Sequence, residues 1–149
     1  MPYAFYQTTV PVAAERIWAF VHNISNWAKW MPGYQGCEIR SETESVWKLR
    51  ADFGAFERAV QLIAVETEQV VPHEVQFRVT GIDENVHGEG KYTAESLADG
   101  GTIITLELTM KVAGLLGPFL NVMLDSALPG MVRELGYNLS EAIVKAQLP

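Results

Sequence analysis

Three histidines, one cysteine and a scatter of carboxylates and arginines are the residues of this 149-residue chain from which chemistry could be built. His22, His73 and His87 are far apart and show no ligand spacing of the HExxH kind, so no metal site is expected. His87 and Glu89 share a strand face near Asp83 and Glu84, which a polar turn explains as well as a ligand set does. Gly88-x-Gly90 is not a phosphate loop, because such a loop needs a helix after its glycines and here a strand pattern follows. These glycines instead let a sheet bend or leave room above its face. No Ser or Cys occupies a GxSxG elbow, and Cys37, having no partner for an internal disulfide, reads as a small half-buried strand residue.

Acid–base chemistry is harder to dismiss. Arg50, Asp52, Glu57, Arg58, Glu66, Arg78 and Glu107 sit in strand patterns, mostly on the face that alternation turns to water. A buried member of that set would have a shifted pKa and could polarise a carbonyl, but the pattern singles out none, so no catalytic residue and no cofactor is assigned. Tyr92 falls on the apolar face, where its hydroxyl meets either a ligand oxygen or a backbone carbonyl. Trp27 and Trp30, three apart in a short helical segment, share a face that could lid a pocket; Trp18 and Trp47 read first as core.

Elements that would position these residues follow from periodicity. Tyr3 to Val10 is a strand, Ala13 to His22 a short helix, and Ser25 a cap for a second short helix that Pro32-Gly33 ends. Strands follow at Gly36 to Glu42, Trp47 to Phe53, Glu57 to Glu66, His73 to Gly81, Gly88 to Leu97 and Ile104 to Lys111, with Asp99-Gly100-Gly101 a hairpin turn. Their alternation is that of antiparallel strands with one wet face. Leu124, Ala127, Met131, Leu135, Leu139 and Ile143 then recur at helical spacing. A helix from Phe119 to Ala146 would be about 40 Å long, unless Pro129-Gly130 kinks it or Pro129 begins it afresh. Before it, Gly114 to Leu120 is either a gate or a buried loop. The order β-α-α-β-β-β-β-β-β-α is that of a single α+β domain over 1–149, without linker or repeat.

Hydrophobic residues make up 48% and charged ones 19%, as in a globular protein. A net charge of −7 without a Lys/Arg cluster disfavours nucleic acid and tight docking on anionic membranes. The amino terminus lacks a signal-peptide pattern and no apolar run approaches a bilayer span, so a cytoplasmic location and no stable membrane insertion are expected.

Val10-Pro11-Val12-Ala13-Ala14-Glu15-Arg16-Ile17-Trp18, Met31-Pro32-Gly33, Gly88-x-Gly90-x-Tyr92, Gly100-Gly101-Thr102 and Ala113-Gly114-Leu115-Leu116-Gly117 carry a resemblance. In these stretches and in element order the chain resembles the helix-grip fold of the START and polyketide cyclase superfamily (SRPBCC). Within it the chain is similar to the CoxG-like proteins associated with carbon monoxide dehydrogenase. The resemblance implies a curved antiparallel sheet of about seven strands wrapped on the long C-terminal helix, with two short helices after the first strand. It also implies a cavity that takes a hydrophobic small molecule such as a lipid, quinone or polyketide. Strand alternation and the helix stripe give the expected lining as Trp47, Leu49, Phe77, Val79, Tyr92, Leu106, Leu108, Leu124, Ala127 and Met131, and the resemblance implies that the segment holding Trp27 and Trp30 lies near one end of the cavity. The rival expectations are a cyclase or dehydratase-type enzyme, marked by a donor and a base converging in the cavity, and an accessory subunit docked on a larger oxidoreductase, marked by an exposed apolar patch around Leu115 to Phe119. A homodimer is compatible with the same features.

Overall fold

The computed structural model describes residues 2–52, 57–82 and 85–147. Phe53, Asp83 and Glu84 lie outside the described residues, as does the Asp52 side chain. Seven strands form one sheet: β1 (Tyr3–Val10), β2 (Tyr34–Ile39), β3 (Glu44–Asp52), β4 (Glu57–Val70), β5 (Glu74–Gly81), β6 (Val86–Ser96) and β7 (Thr102–Val112). Their spatial order is β1-β7-β6-β5-β4-β3-β2, antiparallel at every step. The hairpin between β6 and β7 turns at Gly100, whose φ of +91° suits glycine, with the Gly101 N–H donating to Asp99 Oδ1 at 2.9 Å.

Helix α1 (Ala14–Val21) buries Ala14, Ile17 and Val21, one stripe of the 3.6-residue period, and places Glu15 in its first turn where the helix dipole favours it. The second short helix is a 3₁₀ helix, Ile24–Trp30, and its cap is Asn23, not Ser25. Asn23 Oδ1 accepts from the Ser25 N–H at 3.0 Å and from Ser25 Oγ at 2.7 Å, so the longer carboxamide takes the capping role and Ser25 falls inside the first turn. After Pro32 the chain turns at Gly33 (φ +76°), where a Cβ would come within 2.2 Å of the Arg50 carbonyl oxygen. That approach lets the Arg50 N–H donate to the Gly33 carbonyl at 2.8 Å and joins the 3₁₀ helix to β3.

Helix α2 spans Gly117–Gln147, 31 residues and about 46 Å, with Pro129 inside it. It therefore starts at Gly117, where Pro118 suits the first turn, and does not begin afresh at Pro129. Asn121 clamps its start to the end of β7: its Oδ1 accepts from the Val112 N–H at 2.9 Å and its Nδ2 donates to the Val112 carbonyl at 2.8 Å. The fully buried line along α2 is Leu124, Leu128, Val132, Leu135, Leu139 and Ile143. Leu128 and Val132 thus replace Ala127 and Met131 of the expected stripe, which are half-buried on its flank.

The helix packs on β1, β7, α1 and the 3₁₀ helix. It lies close to β1 at Gly136, where a Cβ would meet the Tyr6 ring at 2.3 Å. Asn138 Nδ2 donates to the Trp30 carbonyl at 3.1 Å and ties the 3₁₀ helix to α2. Two glycines of one helix should then behave oppositely. Gly136→Val is expected to destabilise the fold by about 1–3 kcal/mol through overpacking against Tyr6. Gly130→Ala, whose Cβ would meet only the tip of Arg133 at 3.9 Å, is expected to stabilise it by about 0.5–1 kcal/mol. Urea unfolding of both variants checks the pair.

Candidate functional site

Between α2 and the inner face of the sheet lies a cavity of about 450 Å³. Trp47, Leu49 and Ala51 of β3 and Val60 and Leu62 of β4 form one wall. Phe77 and Val79 of β5, with Leu108, Met110 and Val112 of β7, form the floor. Leu120, Leu124, Met131 and Leu135 of α2 roof it, and Trp27 with Met31 closes one end. The charged residues at its edge, Arg50, Glu57 and Arg58, are exposed and mark the mouth, and the Arg50 Nε–H donates to Glu57 Oε1.

Of the expected lining, the structure gathers Trp27, Trp47, Leu49, Phe77, Val79, Leu108, Leu124 and Met131 around this space. It places Trp30, Tyr92, Leu106 and Ala127 outside the cavity wall. Tyr92 and Leu106 face inward but pair with each other one row along the sheet from Leu108, behind Trp27. Trp30 is half-buried, its ring under the Lys29 ammonium at 5.0 Å and its Nε1 buried without a partner among the described residues. Trp27 is fully buried and forms an inner wall, so the two tryptophans do not make a shared lid. Residues outside the expected lining, among them Met31, Ala51, Val60, Leu62, Met110, Val112, Leu120 and Leu135, share the wall. Period-two alternation puts Leu62 and Val60 on the Ala64 face; what it lacks is a way to tell hollow core from filled core.

Most of the acid–base candidates fall elsewhere. Glu66 is structural: its Oε1 accepts the Ile24 N–H at 2.8 Å at the start of the 3₁₀ helix, and its Oε2 accepts from Gln69 Nε2. Arg78 and Glu107 border the opposite face of the sheet. His73 Nδ1 is 3.0 Å from the Ala94 carbonyl and His22 Nδ1 2.8 Å from the Trp18 carbonyl. Among the described residues no group of His, Cys, Asp and Glu could hold a metal. Burial pushes the Cys37 thiol up, away from the thiolate form a nucleophile needs. The Tyr92 phenol is pushed up strongly by burial, and its hydroxyl has no hydrogen-bond partner among the described residues. The stretch from Gly114 to Leu120 is not a buried loop: Leu115 and Leu116 are exposed before α2, and Phe119 is exposed in its first turn beside the mouth residue Leu120.

A curved antiparallel sheet holding one long helix over an apolar hollow defines the helix-grip class. Residues 4–143 match the family described as polyketide cyclase / dehydrase and lipid transport, and the chain belongs to that family. No curated protein matches the sequence. Among solved structures it is similar to a conserved protein from Geobacillus kaustophilus (18% identity, 97% of this chain and 96% of that one, TM-score 0.80). It is also similar to a START superfamily protein from Mycobacterium smegmatis (15% identity, 97% and 99%, TM-score 0.71) and to an aromatase/cyclase from a Streptomyces species (17% identity, 97% and 92%, TM-score 0.60). At these identities the likeness shows the shared fold.

The capping role of Glu66 makes a clear expectation. Glu66→Ala should cost about 0.5–2 kcal/mol by freeing the Ile24 N–H, whereas Glu66→Gln, which keeps an acceptor oxygen, should retain most of that stability. Urea midpoints of the two variants check it.

Proposed function

We propose that this protein binds a hydrophobic small molecule, of lipid, quinone or polyketide type, in the cavity under α2, and acts as its carrier. The observation that carries this reading is the composition of the wall: the described side chains facing the space are apolar except for Arg50, Glu57 and Arg58 at the mouth. Its volume of about 450 Å³ lies in the range of pockets that enclose drug-sized ligands, roughly 300–1,000 Å³. Every ~100 Å² of apolar ligand surface buried there contributes about 2.5 kcal/mol before the costs of immobilisation, which makes micromolar binding reasonable.

Two features bear on the rivals. A cyclase or dehydratase needs an acid and a base on the bound substrate, and the ionisable groups at the mouth are solvent-exposed, with Glu57 paired to Arg50. Such a group has a weak pull on a substrate that the apolar wall holds deeper. Delivery to a larger enzyme has one observation in its favour: Leu115, Leu116, Phe119 and Val122 form an exposed apolar strip where α2 begins, next to the mouth.

Native mass spectrometry of the purified protein, with solvent extraction of what is bound, tests the carrier reading. Val60→Trp, which fills the cavity from a half-buried wall position, is expected to lower the affinity for an apolar fluorescent probe at least tenfold, at an unchanged circular dichroism spectrum. Equal probe binding by the variant and the unmodified chain would remove the cavity from the reading.

A further inference from the structure

The cavity stops at a partition of two aromatic rings, and Tyr92, the one tyrosine among the described residues that is buried in the core, lies directly behind it. Across β5, β6 and β7 the inward residues form successive rows: Val79–Gly88–Met110, then Phe77–Gly90–Leu108, then Val75–Tyr92–Leu106. Val79, Met110, Phe77 and Leu108 line the cavity, and Tyr92 stands in the first row beyond. Trp27 touches both sides: its ring meets Phe77 edge-on at 5.3 Å between centroids and Tyr92 at 6.2 Å.

The Tyr92 hydroxyl is buried with no hydrogen-bond partner among the described residues, on a side chain whose residue is 1% exposed. An unpaired buried hydroxyl costs about 1–3 kcal/mol, which a phenylalanine at the same place would avoid. Gly90 supplies the second observation. A Cβ there would lie 2.1 Å from the Phe77 ring, so the ring rests in the space that Gly90 leaves empty, between the cavity and Tyr92. The partition is thus one ring laid in a glycine gap and one indole carried on a seven-residue 3₁₀ helix, longer than most such helices and of weaker hydrogen-bond geometry than an α-helix.

Resting on the carrier reading above, we infer that Tyr92 is the hydrogen-bond donor for an oxygen at the leading end of the ligand, reached when the Phe77–Trp27 partition shifts. The ligand class that follows is an apolar molecule carrying a carbonyl or similar acceptor oxygen, as against a plain hydrocarbon. The phenol stays protonated in its buried setting and so keeps its donor.

The test compares two probes of one shape, methyl naphthyl ketone and its isopropenyl analogue, in which a CH₂ group replaces the carbonyl oxygen. Each is titrated calorimetrically into the full chain and into Tyr92→Phe. The expected result is a fivefold or greater loss of ketone affinity in the variant, with the affinity for the analogue kept within twofold. The unliganded variant is expected to melt at the same temperature as the unmodified chain or higher, since it loses only an unpaired hydroxyl. Equal effects on both probes, or none on either, would mean that the hydroxyl serves a trapped water or nothing at all and would overturn this inference alone. A marked fall in melting temperature would overturn it too, by showing that the hydroxyl is bonded within the fold. If neither probe binds the unmodified chain, the carrier reading falls first and this inference with it.

Discussion

Gly136 has no side chain, so the Tyr6 ring of β1 can lie against the backbone of α2 where even a Cβ would come within 2.3 Å. This contact draws the helix down onto the β1–β7 side of the sheet, and the Asn121 clamp to Val112 fixes its first turn to the end of β7. A helix about 46 Å long cannot follow the curvature of a seven-stranded sheet over its whole width. Held close at one side, it stands off on the other. Leu124, Met131 and Leu135 face Trp47, Leu49 and Leu62 across a gap, and that gap is the cavity.

The two short helices decide how much of the gap stays open. Ile17 and Val21 of α1, with Ile24 and Trp27 of the 3₁₀ helix, are fully buried and fill the space at one end. Glu66 from β4 and Asn23 hold the start of the 3₁₀ helix, and Asn138 of α2 holds its end at Trp30. Trp27 is the boundary between this filled half and the hollow half, with its indole N–H donating to the Val21 carbonyl at 3.2 Å. Among the described residues the hollow half has no short helix of its own to close it. Its mouth is bordered by the ends of β3 and β4 and by the junction of β7 with α2, the places where the charged residues and the exposed apolar strip gather.

Alternation along the strands is enough to predict the sheet, its antiparallel sense and the long helix, because a period of two or 3.6 is written residue by residue. It assigns faces correctly and positions along them poorly. Tyr92, Leu106, Leu108 and Met110 all point inward, yet only the last two border the cavity, since the dividing line depends on Phe77 lying over Gly90, a contact between neighbouring strands. The same limit applies to Ala127 and Trp30, whose apolar character says nothing of which way the helix surfaces turn at that level. Pattern alone favours Ser25 over Asn23 as the cap because Ser25 is also a capping residue and lies closer to the tryptophans; the choice rests on which side chain reaches the free N–H groups. Glu66 reads as a solvated strand carboxylate, yet it follows Leu62 and Ala64 on the inward face of β4, where its Oε1 meets the Ile24 N–H.

An apolar wall selects weakly, since one methylene more or less in such a pocket changes affinity by only about 1–3 kcal/mol. Discrimination among molecules of similar bulk must then come from polar groups, whose unpaired burial is penalised far more sharply. In this chain the described polar side chains nearest the hollow stand at its two ends: the arginines and Glu57 in solvent at the mouth, and the Tyr92 hydroxyl behind the aromatic partition. The mouth groups are screened by water, and Arg50 and Glu57 can pair with each other whether or not a ligand is present. The Tyr92 hydroxyl has no such alternative among the described residues. On the proposed carrier reading, selectivity at the inner end of the cavity would depend on how readily Phe77 and Trp27 yield, so that the packing of two apolar rings, and not a charged residue, would decide which ligands reach Tyr92.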